Sequence, residues 1–600
     1  MAKILLYTIH DYACSGIRAL GAYCRAHGHD AKLCFLGGEN GIYTTYQLSP
    51  GALNGLDSKP EDMTFIVHST PGHLNLPEPQ YNFTIPEVFL DFLKEQSPDV
   101  IGFSCRSILT PYFQDWFRRM RNVAPKTMLI AGGFGPTLEP EKYIDRGADA
   151  VVCGEGEETL VELLDRLDQG LPWSDVKNLV YRHGNTIRRN PLRPVIRNLD
   201  ELPFQLKYCP GIYVIRGNTL EELDPLPKAA LPRIFLSRGC VGSCSYCSAG
   251  NWRNVYSQNG VCTPKYRYPS NDTCLRHFKE LKEKGAKSIV MEDDFFIRPY
   301  KVMKQFFQDY AKEISLPIWG YMHPKFISDH PDILDLALES GLINLNLPIQ
   351  CADQEINKMF GRNTDLAFIS RCAFYVTSRF VPFNTHFIDG FMMDGMDDEE
   401  YLSKNLQFIK NLPAFHAGFP NLIGYSISFL RLHLNSPLLL TGKTRSMPCI
   451  TFFHRAMLML FRHILNDEEF NALEANHFYR QNPESLLQLY NQRKTEMHQT
   501  YMLSEARRLA GHEVFIWGGG GIYAMRKSLL AGLRPRAIVT DIPVAARRID
   551  GLPVLPLQKL LANEERLPII ICTQNPQPLA RKLKEMCPDY PHENIIGFGA

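Results

Sequence analysis

Cys240, Cys244 and Cys247 stand in one short run, S-R-G-C-V-G-S-C-S-Y-C-S-A-G, at a C-x3-C-x2-C spacing. Thiolates this close on one loop suit a soft metal centre. Iron–sulfur clusters normally take four cysteines, so a run of three leaves one iron of a cubane open to a small molecule. Structural zinc takes four ligands, usually in paired knuckles. No second C-x2-C occurs here, and Cys262, Cys274 and His277 follow at no zinc spacing. With 16 cysteines in 600 residues, chance yields such a triple only about 0.01 times per chain. The run therefore reads as a 4Fe-4S site with an open corner.

Such a loop needs a scaffold. Before it, short apolar runs at 3–8, 31–35, 99–104, 128–131 and 149–153 alternate with helical stretches at 15–27, 113–123 and up to 167. Gly28 closes the first helix. Two runs end in glycine-rich turns, Gly132-Gly133-Phe134-Gly135-Pro136 and Gly154-Glu155-Gly156-Glu157. Strand, turn, helix, repeated, predicts a doubly wound Rossmann-like parallel sheet over 1–200, with ligands beyond the carboxyl ends of its strands. Residues 201–230, rich in proline and charge, read as a linker.

The loop itself follows a strand at 233–237 and opens a second alternation, with strands at 287–291, 316–321, 342–348, 384–388 and 424–430. Six βα units are fewer than the eight of a closed barrel, and predict a partial barrel over 231–440. Active residues belong at strand carboxyl ends. Glu292, Asp293 and Asp294 end the second strand, His323 the third, Gln350 follows the fourth, and Asp389 and Gly390 the fifth. Acidic groups there also suit a helix start, and a lone histidine such as His323 is more often structural. Residues 441–509 read as helical, with Met457, Leu460, Phe461 and Ile464 on one apolar stripe. From 510 to 600 a separate Rossmann-like unit begins, with Gly519-x-Gly521-x-x-Ala524 after a strand at 513–517 and Asp541 about twenty residues on. That pattern serves either a nucleotide at the helix N-terminus or close glycine packing.

The cysteine run, with Tyr246 before its last cysteine, resembles the cluster motif of the radical S-adenosylmethionine (radical SAM) superfamily. The resemblance implies that Cys240, Cys244 and Cys247 bind the cluster and that Tyr246 contacts adenine. It places Glu292 and Asp293 near the methionine amino group, Gln350 near ribose, and Asp389 and Gly390 beside adenine. Arg362, in F-G-R-N-T, resembles a recurrent arginine of the same branch, and an exposed, solvated role suits it equally. In that superfamily, SAM on the open iron is cleaved to an adenosyl radical, the cofactors supplying the hard chemistry. Residues 1–200, with the exit N-L-D-E-L-P-F, resemble the cobalamin-binding domain that precedes many radical SAM modules. There Gly132, Gly133 and Pro136 match one turn, and Gly154, Glu155, Gly156 and Glu157 another. The D-x-H-x-x-G signature that supplies a histidine to cobalt is missing, and His10 and Asp11 stand in the wrong order to replace it. The resemblance implies a cobalamin-dependent methyltransferase acting at an unactivated carbon. Cyclisation, rearrangement or oxidation is the alternative within enzymes, and a cluster-bearing cobalamin or nucleotide sensor the alternative outside them.

A formal net charge of +1, with 45% apolar and 22% charged residues, gives no electrostatic case for nucleic acid or an acidic membrane. No spanning apolar run, signal peptide or disulfide framework is evident, so a reducing cytoplasm is expected. A small-molecule or peptide substrate and an electron donor such as flavodoxin or ferredoxin are the expected partners.

Overall fold

Each apolar run of the first half becomes a strand in the computed structural model. It describes residues 1–9, 14–37, 66–70, 73–75, 85–104, 113–226, 233–291, 293, 296–420, 422–429, 438, 442–475, 478, 483–542, 547–562 and 565–599. In chain order the first strands are β1 (Lys3–Ile9), β2 (Asp30–Gly37), β3 (Ile66–Thr70), β4 (His73–Asn75), β5 (Val100–Ser104) and β6 (Met128–Gly132). They are followed by β7 (Ala150–Val152), β8 (Leu179–His183), β9 (Thr186–Arg189), β10 (Ile212–Arg216) and β11 (Thr219–Glu221). Strands β2, β1, β5, β6 and β7 lie side by side and parallel. Leu5, Tyr7 and Phe103 pack on one face, Ile4, Leu6 and Ile130 on the other. Burial on both faces is why these strands read as unbroken apolar runs rather than alternating ones. The strand order reverses between β1 and β5, the switch point at which such sheets bind ligands.

Residues 201–226 of the expected linker are built into the first unit. β10 pairs in parallel with β2 and β11 turns back on β10, so the segment widens the first sheet at its edge. The physical reason is a buried fork: Arg18 donates to both carboxylate oxygens of Asp224 at 2.9 Å and to the Leu206 carbonyl at 2.7 Å. Arg18 and Asp224 are 0% and 3% exposed, so this return path is fixed by a charge pair that water cannot replace.

The next strands are β12 (Arg233–Ile234), β13 (Arg238–Gly239), β14 (Tyr266–Arg267), β15 (Ile289–Met291), β16 (Ile318–Tyr321) and β17 (Leu342–Asn346). After them come β18 (Phe383–Asp389), β19 (Phe391–Met393), β20 (Ile423–Phe429) and β21 (Thr444–Ser446). Strands β12, β15, β16, β17, β18 and β20 are adjacent and parallel, the six expected. One addition was not expected. β3, drawn from between the first-sheet strands β2 and β5, pairs antiparallel with β20 and carries β4 beyond it.

The helices Cys449–Ile464 and Pro483–Arg508 pack on the barrel. Met457, Leu460, Phe461 and Ile464 belong to the same core as Ile318, Leu345 and Phe387, so the stripe is core packing. The last unit comprises β22 (Glu513–Trp517), β23 (Arg534–Thr540), β24 (Arg548–Ile549), β25 (Leu552–Pro556), β26 (Ile569–Ile571) and β27 (Ile595–Gly597). Its parallel order is β25-β23-β22-β26-β27, with β24 antiparallel at the edge. Among the described residues no helix is long and apolar enough to cross a membrane.

Candidate active site

The cysteine loop runs from the end of β13 to the helix Ser248–Gln258, with Cys247 at the helix N-cap in extended conformation. All three cysteines are unbridged and half-buried. The Gly242 amide donates to Cys240 Sγ at 3.4 Å. A Cβ on Gly242 would lie 3.5 Å from Cys240 Sγ and 3.6 Å from Cys244 Sγ, so both sulfurs turn toward the bare face of that glycine. Among the described residues no three His, Cys, Asp or Glu side chains are grouped so as to hold one metal ion. A single zinc would need its ligands converging at about 2.0–2.3 Å. A cubane takes each thiolate on a different iron, so its three cysteines need not converge on one point.

A second segment holds this loop from outside. The Ser245 amide donates to the Phe360 carbonyl at 3.0 Å, and Ser245 Oγ to the Met359 carbonyl at 3.0 Å. Gly361, at φ 73°, lets its backbone approach; a Cβ there would meet the Ser243 carbonyl at 3.0 Å. Tyr246 packs edge-on against Phe360, with ring centroids 4.9 Å apart, and burial raises its phenol well above the usual range. Arg362 reaches Cys244 Sγ at 3.9 Å and the Pro348 carbonyl at 2.8 Å. The sequence left this arginine open between a solvated role and a site role. The fold brings it to the cysteine loop.

Of the other expected residues, Gln350 sits in the left-handed region at φ 73°, which is costly for a side chain with a Cβ. Its backbone bridges to β18, the amide to the His386 carbonyl at 2.8 Å and the carbonyl to the Ile388 amide at 2.7 Å. Its chain neighbour Cys351 and its bonded partner Ile388 both belong to the small core that includes Phe360, with Tyr246 packed against it. Asp389 ends β18 next to Ile388 of that core, and Gly390 follows it. The Asp389 carboxylate is fully buried and accepts from Arg455 Nε at 2.8 Å and from the Gly390 amide at 2.8 Å. Burial raises its pKa while Arg455 opposes the shift.

Asp293, likewise buried, is 1% exposed and accepts from the Leu236 amide at 3.1 Å and from both the amide and hydroxyl of Ser237. Its carboxylate therefore ties the end of β15 to the segment that launches the cysteine loop. Glu292 and Asp294 lie outside the described residues, as do His10 and Asp11. His323 is an N-cap: Nδ1 accepts from the Phe326 amide at 3.4 Å, and burial lowers its pKa to about 4.

The two glycine turns of the first sheet differ. Gly132 ends β6, and Gly133 at φ 101° leads into the short helix Phe134–Leu138, which contains Pro136. Gly133 and Phe134 are exposed, and Phe134 faces Trp252 of the helix after the cysteine loop at 6.4 Å between rings. A bare glycine beside an exposed aromatic at a strand's carboxyl end is a surface that a flat macrocycle can approach.

The second turn is filled by protein. Gly154 at φ 87° leaves no room for a Cβ, which would lie 2.1 Å from Tyr256 Oη, and the Glu155 amide donates to that hydroxyl at 2.9 Å. Glu155 binds Arg267 at 2.7 Å and Arg238 at 3.2 Å, and Glu157 also binds Arg238. Gly156 backs onto Leu20. These carboxylates were expected near a cofactor, and the arginines that claim them lie 81 and 112 residues away, beyond any local pattern.

In the last unit Gly518 and Gly519 serve close packing. A Cβ would meet the Cys572 carbonyl and Ile549 Cδ1 respectively, each at 2.7 Å. Asp541 is paired with Lys582 at 2.8 Å.

Comparisons with known proteins bear on the first unit and on the fold. Residues 76–164 match the family model described as the B12 binding domain. An uncharacterised methyltransferase of Pyrococcus horikoshii is 29% identical over 213 residues, 34% of this chain and 41% of that protein. The hopanoid C-3 methylase of Methylococcus capsulatus is 29% identical over 222 residues, 35% of this chain and 38% of that protein. The chain thus spans well under half the length of these curated relatives. The fold is similar to a structure of the radical S-adenosylmethionine methyltransferase TsrM from Kitasatospora setae with cobalamin and a 4Fe-4S cluster bound. That likeness has a TM-score of 0.51 at 14% identity, and covers 73% of this chain and 77% of that one.

Proposed function

We propose that this chain, which carries the B12 binding domain and the fold of the cobalamin-binding branch of the radical SAM superfamily, is a radical SAM enzyme that methylates an unactivated carbon. One observation carries the reading. The glycine turn at the end of β7 is seated on Tyr256, in the helix whose N-cap is Cys247, so the carboxyl ends of the two parallel sheets share one mouth. Cys240, Cys244 and Cys247 would hold a 4Fe-4S cluster, and the turn of Gly132, Gly133 and Pro136, open to solvent at Gly133 and Phe134, would approach cobalamin. When bound, the cluster with SAM supplies a carbon radical, and cobalamin supplies the methyl group.

The chain's own residues prepare that mouth. The Gly242 amide directed at Cys240 Sγ stabilises a thiolate, and Arg362 adds positive charge beside Cys244. Tyr246 and Phe360 form an apolar wall where a nucleoside would rest, and the strained Gln350 offers an amide to its polar edge. Asp293 and Asp389 act one step back, fixing the strand ends. The absence of a cobalt-ligating histidine motif fits a cobalamin held without a protein nitrogen. A reducing compartment and a small electron-donor protein of the flavodoxin or ferredoxin kind complete the reading, with a small molecule or peptide as acceptor.

The test is anaerobic incubation of reconstituted protein with SAM and reductant. Formation of both 5′-deoxyadenosine and S-adenosylhomocysteine is expected. The first alone would replace methyl transfer with cyclisation, rearrangement or oxidation, and neither would overturn the reading.

A further inference from the structure

Between the first sheet and the cysteine loop lies a charged cluster that the proposed reaction does not itself require. Arg238 and Arg267 face each other across the two-residue ladder of β13 and β14. Arg238 stands two residues before Cys240. Two arginines paired in register repel, and Arg267 is almost fully buried, at 6% exposed. What reconciles them comes from the other domain. Glu155 receives Arg267 at 2.7 Å and Arg238 at 3.2 Å, Glu157 receives Arg238, and the carboxylates are only 11% and 6% exposed. The second oxygen of Glu155 accepts from the Ile196 amide at 2.8 Å, and Arg267 donates to the Ile196 carbonyl. One oxygen of each carboxylate is thus committed to the strand pair that launches the cysteines, and the other oxygen of Glu155 to the Ile196 amide.

We propose that Glu155 and Glu157 are positioning residues rather than ligands of a bound corrin: they lock the second glycine turn to β13, so that occupancy of the first domain is transmitted to the cysteine loop. This deepens the functional reading and rests on it only for the identity of the occupant. Charge-assisted forks of this kind fix orientation as well as distance. A lock between two elements with separate ligands couples the sites only if each ligand biases the locked state.

The experiment compares full-length wild type with Glu155→Gln/Glu157→Gln and with Glu157→Gln alone, a milder change that keeps the Glu155 fork intact. Hydroxocobalamin is the probe, its retention read from visible absorbance, and backbone hydrogen exchange over 238–247 is followed with and without it. In wild type, cobalamin is expected to slow exchange of that stretch by about tenfold. In the double variant cobalamin is retained equally, yet the slowing is lost, and Glu157→Gln falls between. Loss of cobalamin retention by the variants would place the carboxylates in the corrin site, and persistence of the slowing would remove the lock; either overturns the proposal. If wild type itself retains no cobalamin, the functional reading fails instead. The lock is then read without ligand, where faster exchange at 238–247 in Glu157→Gln supports it and unchanged exchange refutes it.

Discussion

Substituting Gly154 by alanine probes the contact that joins the two halves of the proposed site. An alanine must adopt φ near 87°, in the left-handed region, at a cost of about 1–2 kcal/mol. Its Cβ would also lie 2.1 Å from Tyr256 Oη and 2.8 Å from its Cζ. Tyr256 is fully buried and cannot swing into solvent, so the overlap costs about 1–3 kcal/mol more. Displacing the hydroxyl breaks its bond to the Glu155 amide, worth about 1 kcal/mol. Gly154→Ala is therefore expected to cost about 3–6 kcal/mol. Tyr256→Phe alone loses only the hydrogen bond, about 1 kcal/mol. Together they should cost less than the two separately, by about 1–2 kcal/mol, because the phenylalanine vacates the point of closest overlap. The assay is denaturant unfolding of the cofactor-free protein followed by tryptophan fluorescence, Trp252 lying 4.8 Å from the Tyr256 ring. Costs additive within about 0.5 kcal/mol would refute the reasoning, as would a Gly154→Ala cost below about 1 kcal/mol.

Alanine at Cys240, Cys244 or Cys247 is expected to abolish iron retention and 5′-deoxyadenosine formation, checked by iron analysis and chromatography. Gly242→Val, which puts methyl groups between two sulfurs now 3.5 and 3.6 Å from its Cβ position, should lower iron content while leaving all three thiols titratable. Asp293→Asn presents an amide to donors from Leu236 and Ser237; it should cost about 1–3 kcal/mol and loosen iron retention, read as the rate of iron loss to a chelator. Burial, aided by Lys494, lowers His463 to about 4, against about 6.5 when unfolded. Because the unfolded chain takes that proton first, the stability present above about pH 6.5 is lost as pH falls toward 4, at up to about 1.4 kcal/mol per unit. His463→Gln should flatten that share of the slope in denaturant midpoints measured between pH 7.5 and 5.

The scaffold was legible because its signals are local. Unbroken apolar runs of five or six residues, punctuated by glycine, predict buried parallel strands, and the cysteine spacing lies within one loop. The partners of carboxylates at strand ends are not legible in this way. Asp293, Asp389, Glu155 and Glu157 look alike in sequence, and each is claimed by a donor 56 or more residues distant. Nothing nearby in the chain reports such a partner. The supposed linker misled for the same reason: proline and charge mark a surface path, and only the Arg18–Asp224 fork reveals that the path is anchored. Arg362, undecided from sequence, was resolved by the short turn at Gly361 that lays it against the cysteine loop.

The strand β3 has a consequence for how such a protein can be taken apart. It leaves the stretch that builds the first sheet, seals the open flank of β20, and the chain then returns to form β5. The two units are therefore interlaced by the polypeptide itself and do not behave as interchangeable cassettes. Excising everything ahead of residue 230 would strip β20 of its neighbour and leave a bare row of amides and carbonyls, an invitation to intermolecular pairing. Insoluble truncations, and survival of the barrel only when 66–75 is grafted back, are what this threading demands.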